Sequence, residues 1–127
     1  MRHGKKPSEN DSALTIILMD ADKLSNMGLA AIIRSGQFRY HLPHIDFRYL
    51  DKKPPEYTFK NPGSVYWDIH GHLEWYEQNY FRIPKAKELA EPLYREEKAF
   101  FDQLVRPYKE VGLIPYPFPE DFDQISK

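Results

Sequence analysis

Apolar residues recur every three or four positions early in the chain, at Leu14, Ile17, Leu18, Ala21 and Leu24, which marks one face of an amphipathic helix. Ser8, Asn10, Asp11 and Ser12 precede this face and are all residue types that cap helices. The pattern predicts a helix over residues 12–34. Gly28 should bend or split it, because glycine costs roughly 1 kcal/mol in a helix interior relative to alanine. Ser35 and Gly36 supply a stop. From residue 37 to residue 64 the periodicity disappears and Pro43, Pro54, Pro55, Pro62 and Gly63 punctuate the chain, so an extended loop with at most a short helical turn is expected. Its aromatic side chains, Phe38, Tyr40, Phe47, Tyr49, Tyr57 and Phe59, argue for packing over free disorder. Helical spacing returns at residues 65–80, with Ser64 as cap and Ile69, Leu73, Tyr76 and Tyr80 on one stripe. A last helix begins at Pro84, a residue suited to a first turn, and runs to about residue 110 with Leu89, Leu93, Phe100, Leu104 and Val105 buried. Pro92 should kink or break it. The expected architecture is all-α: a single-domain, partial helical bundle with a long irregular loop, closed by a proline-rich tail over residues 111–127.

Two carboxylates interrupt the first apolar segment, at Asp20 and Asp22. A carboxylate taken out of water is costly unless something positive or a set of donors meets it. The helical period places the two about 200° apart around the axis, so they cannot line the same pocket on a straight helix. One should be the functional acid and the other a supporting or solvated one.

The segment Asp20-Ala21-Asp22-Lys23-Leu24, followed by Met27-Gly28-Leu29-Ala30-Ala31-Ile32-Ile33-Arg34, resembles the last metal-ligand segment of the HD-domain superfamily of metal-dependent phosphohydrolases. In that family a His, an adjacent His-Asp pair and a distant Asp lie on helices around one or two divalent ions. The resemblance implies that Asp22 matches the distant Asp. It extends more loosely through residues 72–77, 87–90 and 95–104, covering about residues 3–105. No histidine here is followed by Asp: the five stand as His3-Gly4, His41-Leu42, His44-Ile45, His70-Gly71 and His72-Leu73. The family's first His and its His-Asp pair would therefore precede residue 1, and the sequence reads as the C-terminal part of a truncated HD domain.

The resemblance further implies His3 as an additional metal ligand, Asp20 as a group orienting a ligating histidine, and Lys23, Asn26 and Arg34, with Arg39, as contacts to a phosphorylated substrate. Each has a plainer alternative, as a solvated or core-packing polar residue. His41 and His44 sit three apart around a proline, and His70 and His72 two apart on a helix, spacings that do not favour a shared metal. They are expected at the surface or an interface, except His72, for which packing against the core is the expected role.

With 18 basic and 19 acidic residues in 127, the chain lacks the positive field that phosphate-driven nucleic-acid binding needs. It has no cysteine, so there is no disulfide frame, thiolate nucleophile or Cys-type zinc site, in keeping with a cytoplasmic location. Apolar runs fall far short of the ~20 residues of a membrane span. The expectation is an HD-type phosphohydrolase acting on a phosphate ester or nucleotide, incomplete and inactive as an isolated chain. A complete site would carry a divalent ion (Mn, Fe, Co, Ni or Mg). The alternatives are a non-catalytic helical interaction module, self-associating through faces left uncovered, or a nucleotide-binding module.

Overall fold

A computed structural model describes residues 8–119. Among them the chain is all-helical: α1 (Ala13–Ser25), α2 (Leu29–Phe38), a 3₁₀ turn (Phe47–Tyr49), α3 (Val65–Glu77) and α4 (Pro84–Glu110). No described helix is long and apolar enough to cross a membrane. Helix α4 is the spine, packing against α1, α2 and α3, while α2 also packs against α3.

Helices α1 and α3 start at serines that satisfy free N–H groups. Ser12 Oγ accepts from the Thr15 N–H at 3.2 Å, and Ser64 Oγ accepts from the Trp67 N–H at 3.2 Å. The first two N–H groups of α3 donate instead to the loop, Val65 to the Pro43 carbonyl and Tyr66 to that of His44, both at 3.0 Å. Pro84 opens α4 as expected. The expected single helix over residues 12–34 is two. Gly28 adopts φ +86° and ψ −176° as the cap of α2, a backbone region that is essentially glycine-only. Its N–H donates to Glu97 Oε1 of α4 at 2.5 Å, so a long-range bond fixes the break. Helix α2 runs through Ser35 and Gly36 to Phe38, and α4 runs through Pro92 as one element.

One apolar cluster joins Tyr49, Leu50, Tyr66, Trp67, Ile69, Leu73 and Phe101. A second joins Met27, Trp75, Phe81, Ala86 and Ala90. The long loop is part of the first. Tyr66 donates its hydroxyl to the Leu50 carbonyl at 2.7 Å, and Trp67 Nε1 donates to the Tyr49 carbonyl at 2.6 Å, so buried aromatics on α3 hold the loop by both apolar area and polar tips.

Part of the expected apolar stripe of α1 faces outward, whereas Leu18 and Leu24 are half-buried and Leu24 packs against the second cluster. Leu14 is 65% exposed and Ile17 54%, and Ala21 is exposed as well. The helix docks through Met19, Asp20 and Lys23 instead. Leu89 of α4 is also half exposed, while Ala86, Ala90, Glu97 and Phe101 form the buried line. The cause is visible at Asp20. A carboxylate that accepts backbone N–H bonds can be buried, and hydrophobic periodicity carries no information about such bonds.

Candidate functional site

Asp20 is 1% exposed. Its Oδ2 accepts from the backbone N–H groups of Arg82 and Ile83, at 3.0 and 2.8 Å, which are the groups entering the N-terminus of α4. A carboxylate there also meets the positive end of the helix dipole. Arg82 adds an ion pair to Asp11 at 3.0 Å and a bond to the Ser8 carbonyl at 3.0 Å, tying the start of the described chain to the same point. Lys23 is completely buried on this side of α1, and its Nζ has no hydrogen-bond partner. Desolvation lowers its pKa from the ordinary lysine value, with Asp20 the main opposing charge. Both residues serve the α1–α4 contact, and Lys23 does not reach a substrate pocket.

Asp22 lies on the other side of α1, as the helical period requires, and lines a cleft of about 240 Å³. Asn26, Arg34 and His72 line it too, with Phe38 and Phe59 among the apolar residues. Asn26 Nδ2 caps α1 by donating to the Asp22 carbonyl at 2.8 Å, and Arg34 Nη1 reaches the Ser25 carbonyl at 3.3 Å. Four of the expected site residues, Asp22, Asn26, Arg34 and Arg39, are therefore brought to one cleft. His3 lies outside the described residues.

A buried polar network forms the back of the cleft. Asp68 accepts from Ser35 Oγ, and its other oxygen accepts from Arg39 Nε at 3.0 Å. Arg39 spends its remaining nitrogens on the loop, Nη1 on the Lys60 carbonyl at 3.0 Å and Nη2 on that of Phe59 at 3.2 Å. Arg39 is thus a clamp between α2, α3 and the loop, and its donors are not open to a phosphate. Arg34 is exposed, and among the described residues only its Nη1 bond to Ser25 engages it.

His72 is buried, stacks on Trp75 with ring centroids 4.7 Å apart, and lines the cleft. Its Nδ1 is buried without a hydrogen-bond partner. Burial lowers its pKa from the usual value against the pull of Asp68, so the ring is held toward its neutral form. His70 is not a surface residue either. It stacks on Phe101 at 3.9 Å, and burial pushes its pKa down to about 4. His41 and His44 are exposed, as expected.

Asp68, Ser35 and His72 were not legible as site residues, although one signal was present. Asp68 sits inside an apolar aromatic helix, the same anomaly that drew attention to Asp20 and Asp22.

Among the described residues no group of three His, Cys, Asp or Glu side chains is placed to hold a metal ion. Asp22 alone does not fit a catalytic metal, because a carboxylate needs companion ligands to hold one. Compared with family models, with curated proteins and with solved structures, the chain matches none.

Proposed function

We propose that the cleft binds a small phosphorylated ligand and forms the distal-Asp wall of an HD-type phosphohydrolase site, with Asp22 as its acid. The observation that supports this most is the division of labour between the two carboxylates. Asp22, the residue that the resemblance assigns to the site, faces the cleft beside Arg34, Asn26 and His72, while Asp20 is committed to backbone donors. Arg34 supplies charge-assisted donors for phosphate oxygens, and Asn26 and His72 supply orienting polar groups. The described residues account for binding and not for bond cleavage, so no hydrolytic step is derived from them.

Thermal melting in the presence of inorganic phosphate and AMP, with and without Mn²⁺, tests this proposal. A ligand of the native state at about 100 times its Kd adds about 2.7 kcal/mol of stability. Phosphate should raise the melting temperature of the wild type, and Arg34→Ala should remove the shift. Asp22→Ala should abolish any Mn²⁺-dependent increment. No shift at millimolar phosphate or AMP would refute the binding reading.

A second reading, a self-associating helical module, is favoured by the exposed apolar side chains Leu14 and Ile17 on α1 and Leu29 and Ile33 on α2, each more than half exposed. Light scattering coupled to size exclusion separates it. A concentration-dependent dimer lost in Ile17→Lys would support it.

A further inference from the structure

We propose that the ligand of this cleft carries a flat, apolar group about one helical turn from its phosphate, and that Phe59 is the residue that selects it. The inference rests on the phosphate-binding reading above.

The cleft is polar at one end and aromatic at the other. Arg34 is anchored to Ser25 at the C-terminal end of α1, beside Asp22 and Asn26. Four residues further along α2, at its C-terminus, Phe38 lies beneath the Arg39 guanidinium, 4.8 Å from the ring centre. Four residues span about 6 Å of helix, which sets the separation between the anionic and apolar parts of a ligand that touches both ends.

Phe59 completes the aromatic end on a stiff mount. Thr58 and Asn61 exchange backbone bonds at 3.2 Å, and the Asn61 N–H also donates to Thr58 Oγ1 at 2.9 Å, so Phe59 rides at the tip of a closed turn. Arg39 ties that turn to α2 and α3 through the Phe59 and Lys60 carbonyls and Asp68. The Phe59 ring also packs over α3 at Gly71, where the hydroxyl of Tyr57 makes the closest approach. A Cβ there would come within 3.8 Å of the Phe59 ring and 2.9 Å of Tyr57 Oη. Despite these restraints the ring stays 45% exposed, and Phe38 is 69% exposed. Phe59, mounted on a tied turn and leaning on Trp75 at 6.2 Å, with Phe38 on the same cleft, forms a preorganised surface for a planar partner, since the backbone that carries the ring has little freedom left to lose on binding.

The test compares the affinities of inorganic phosphate, glycerol phosphate and phenyl phosphate for the full chain by calorimetry, in the wild type, Phe59→Ala and Phe59→Leu. Phenyl phosphate should bind about threefold to tenfold tighter than the other two, as one ring contact implies. Phe59→Ala should remove that preference without changing the affinity for inorganic phosphate, and Phe59→Leu should retain only part of it. Equal binding of all three compounds by the wild type, or an unchanged preference in Phe59→Ala, overturns the inference and leaves the phosphate reading standing. Loss of inorganic phosphate binding in Phe59→Ala assigns the ring a packing role and also overturns it. Failure of every phosphate compound to bind the wild type overturns the phosphate reading itself.

Discussion

Replacing Gly28 by alanine isolates the element that separates α1 from α2. At φ +86° and ψ −176°, any residue with a Cβ carries backbone strain of about 1–3 kcal/mol. The added Cβ would also lie 2.9 Å from Leu93 Cδ2 and 3.7 Å from Leu93 Cβ. The first contact involves the far end of a flexible side chain, so a rotamer change relieves most of it at a cost of about 0.5–1.5 kcal/mol. The total is about 1.5–4.5 kcal/mol. With a urea m-value of about 1.5 kcal/mol/M for a chain of this size, the unfolding midpoint should fall by about 1–3 M at unchanged m.

Two further glycines partition the effect. Gly112 has φ +84° with nothing within 4 Å of a built Cβ, so Gly112→Ala carries strain without a clash and should cost about 1 kcal/mol. Gly36 lies inside α2 with no neighbour within 4 Å and no positive φ, so Gly36→Ala should stabilise by about 0.5–1 kcal/mol. A Gly28→Ala midpoint within the error of the wild type would refute the reasoning, because it would mean that the chain can pass from α1 to α2 without the glycine-only conformation.

Two other predictions concern buried charge. Glu97 is fully buried, with Oε1 on the Gly28 N–H and Oε2 unpartnered, and desolvation pushes its pKa from 4.5 up to about 8. A raised folded-state pKa contributes stability that is fully present below the unfolded value and is lost as pH rises through the folded one. Wild-type stability should therefore fall between about pH 4.5 and 8 relative to Glu97→Gln, by at most about 1.4 kcal/mol per pH unit. Glutamine keeps the acceptor for Gly28 and cannot titrate. Urea midpoints measured from pH 5 to 9 should converge at the acid end, and parallel profiles would contradict the assignment. For the carboxylates of α1, Asp20→Ala strands two backbone N–H groups at the start of α4 and removes the main charge opposing Lys23, at a cost of about 3–5 kcal/mol. Asp22→Ala should cost much less, and chemical denaturation of the two variants would expose a reversed order.

The parts of the fold legible in the sequence were those governed by local rules. Pro84 opens α4 and Ser64 caps α3, because capping and proline geometry depend on residues only a few positions away. Gly28 was legible as a weak point but not as a cap, since the bond that fixes it comes from Glu97, 69 residues away. The buried line of α4 was misread for a related reason. Ala86 and Ala90 bury against Trp75 and Phe81, and a small residue opposite a large aromatic outranks Leu89 in packing although its own transfer free energy is lower.

Half of the site was legible on the same grounds, and the other half required long-range pairing. The period of α1 alone separates Asp20 from Asp22 and forces a choice between them, but it does not say which faces the bundle. That choice is made at the entry to α4, where the Arg82 and Ile83 N–H groups need an acceptor. Asp20 fills the need from another helix. Once its carboxylate is committed there, α1 must roll its Leu14–Ile17 face away from α4 and its Asp22 side toward α2 and α3. The exposed Leu14 and Ile17 side chains and the acidic cleft wall are two consequences of the pair of bonds that Asp20 makes at the entry to α4. Asp20→Ala should therefore disturb both, whereas Asp22→Ala should leave the bonds at the entry to α4 in place.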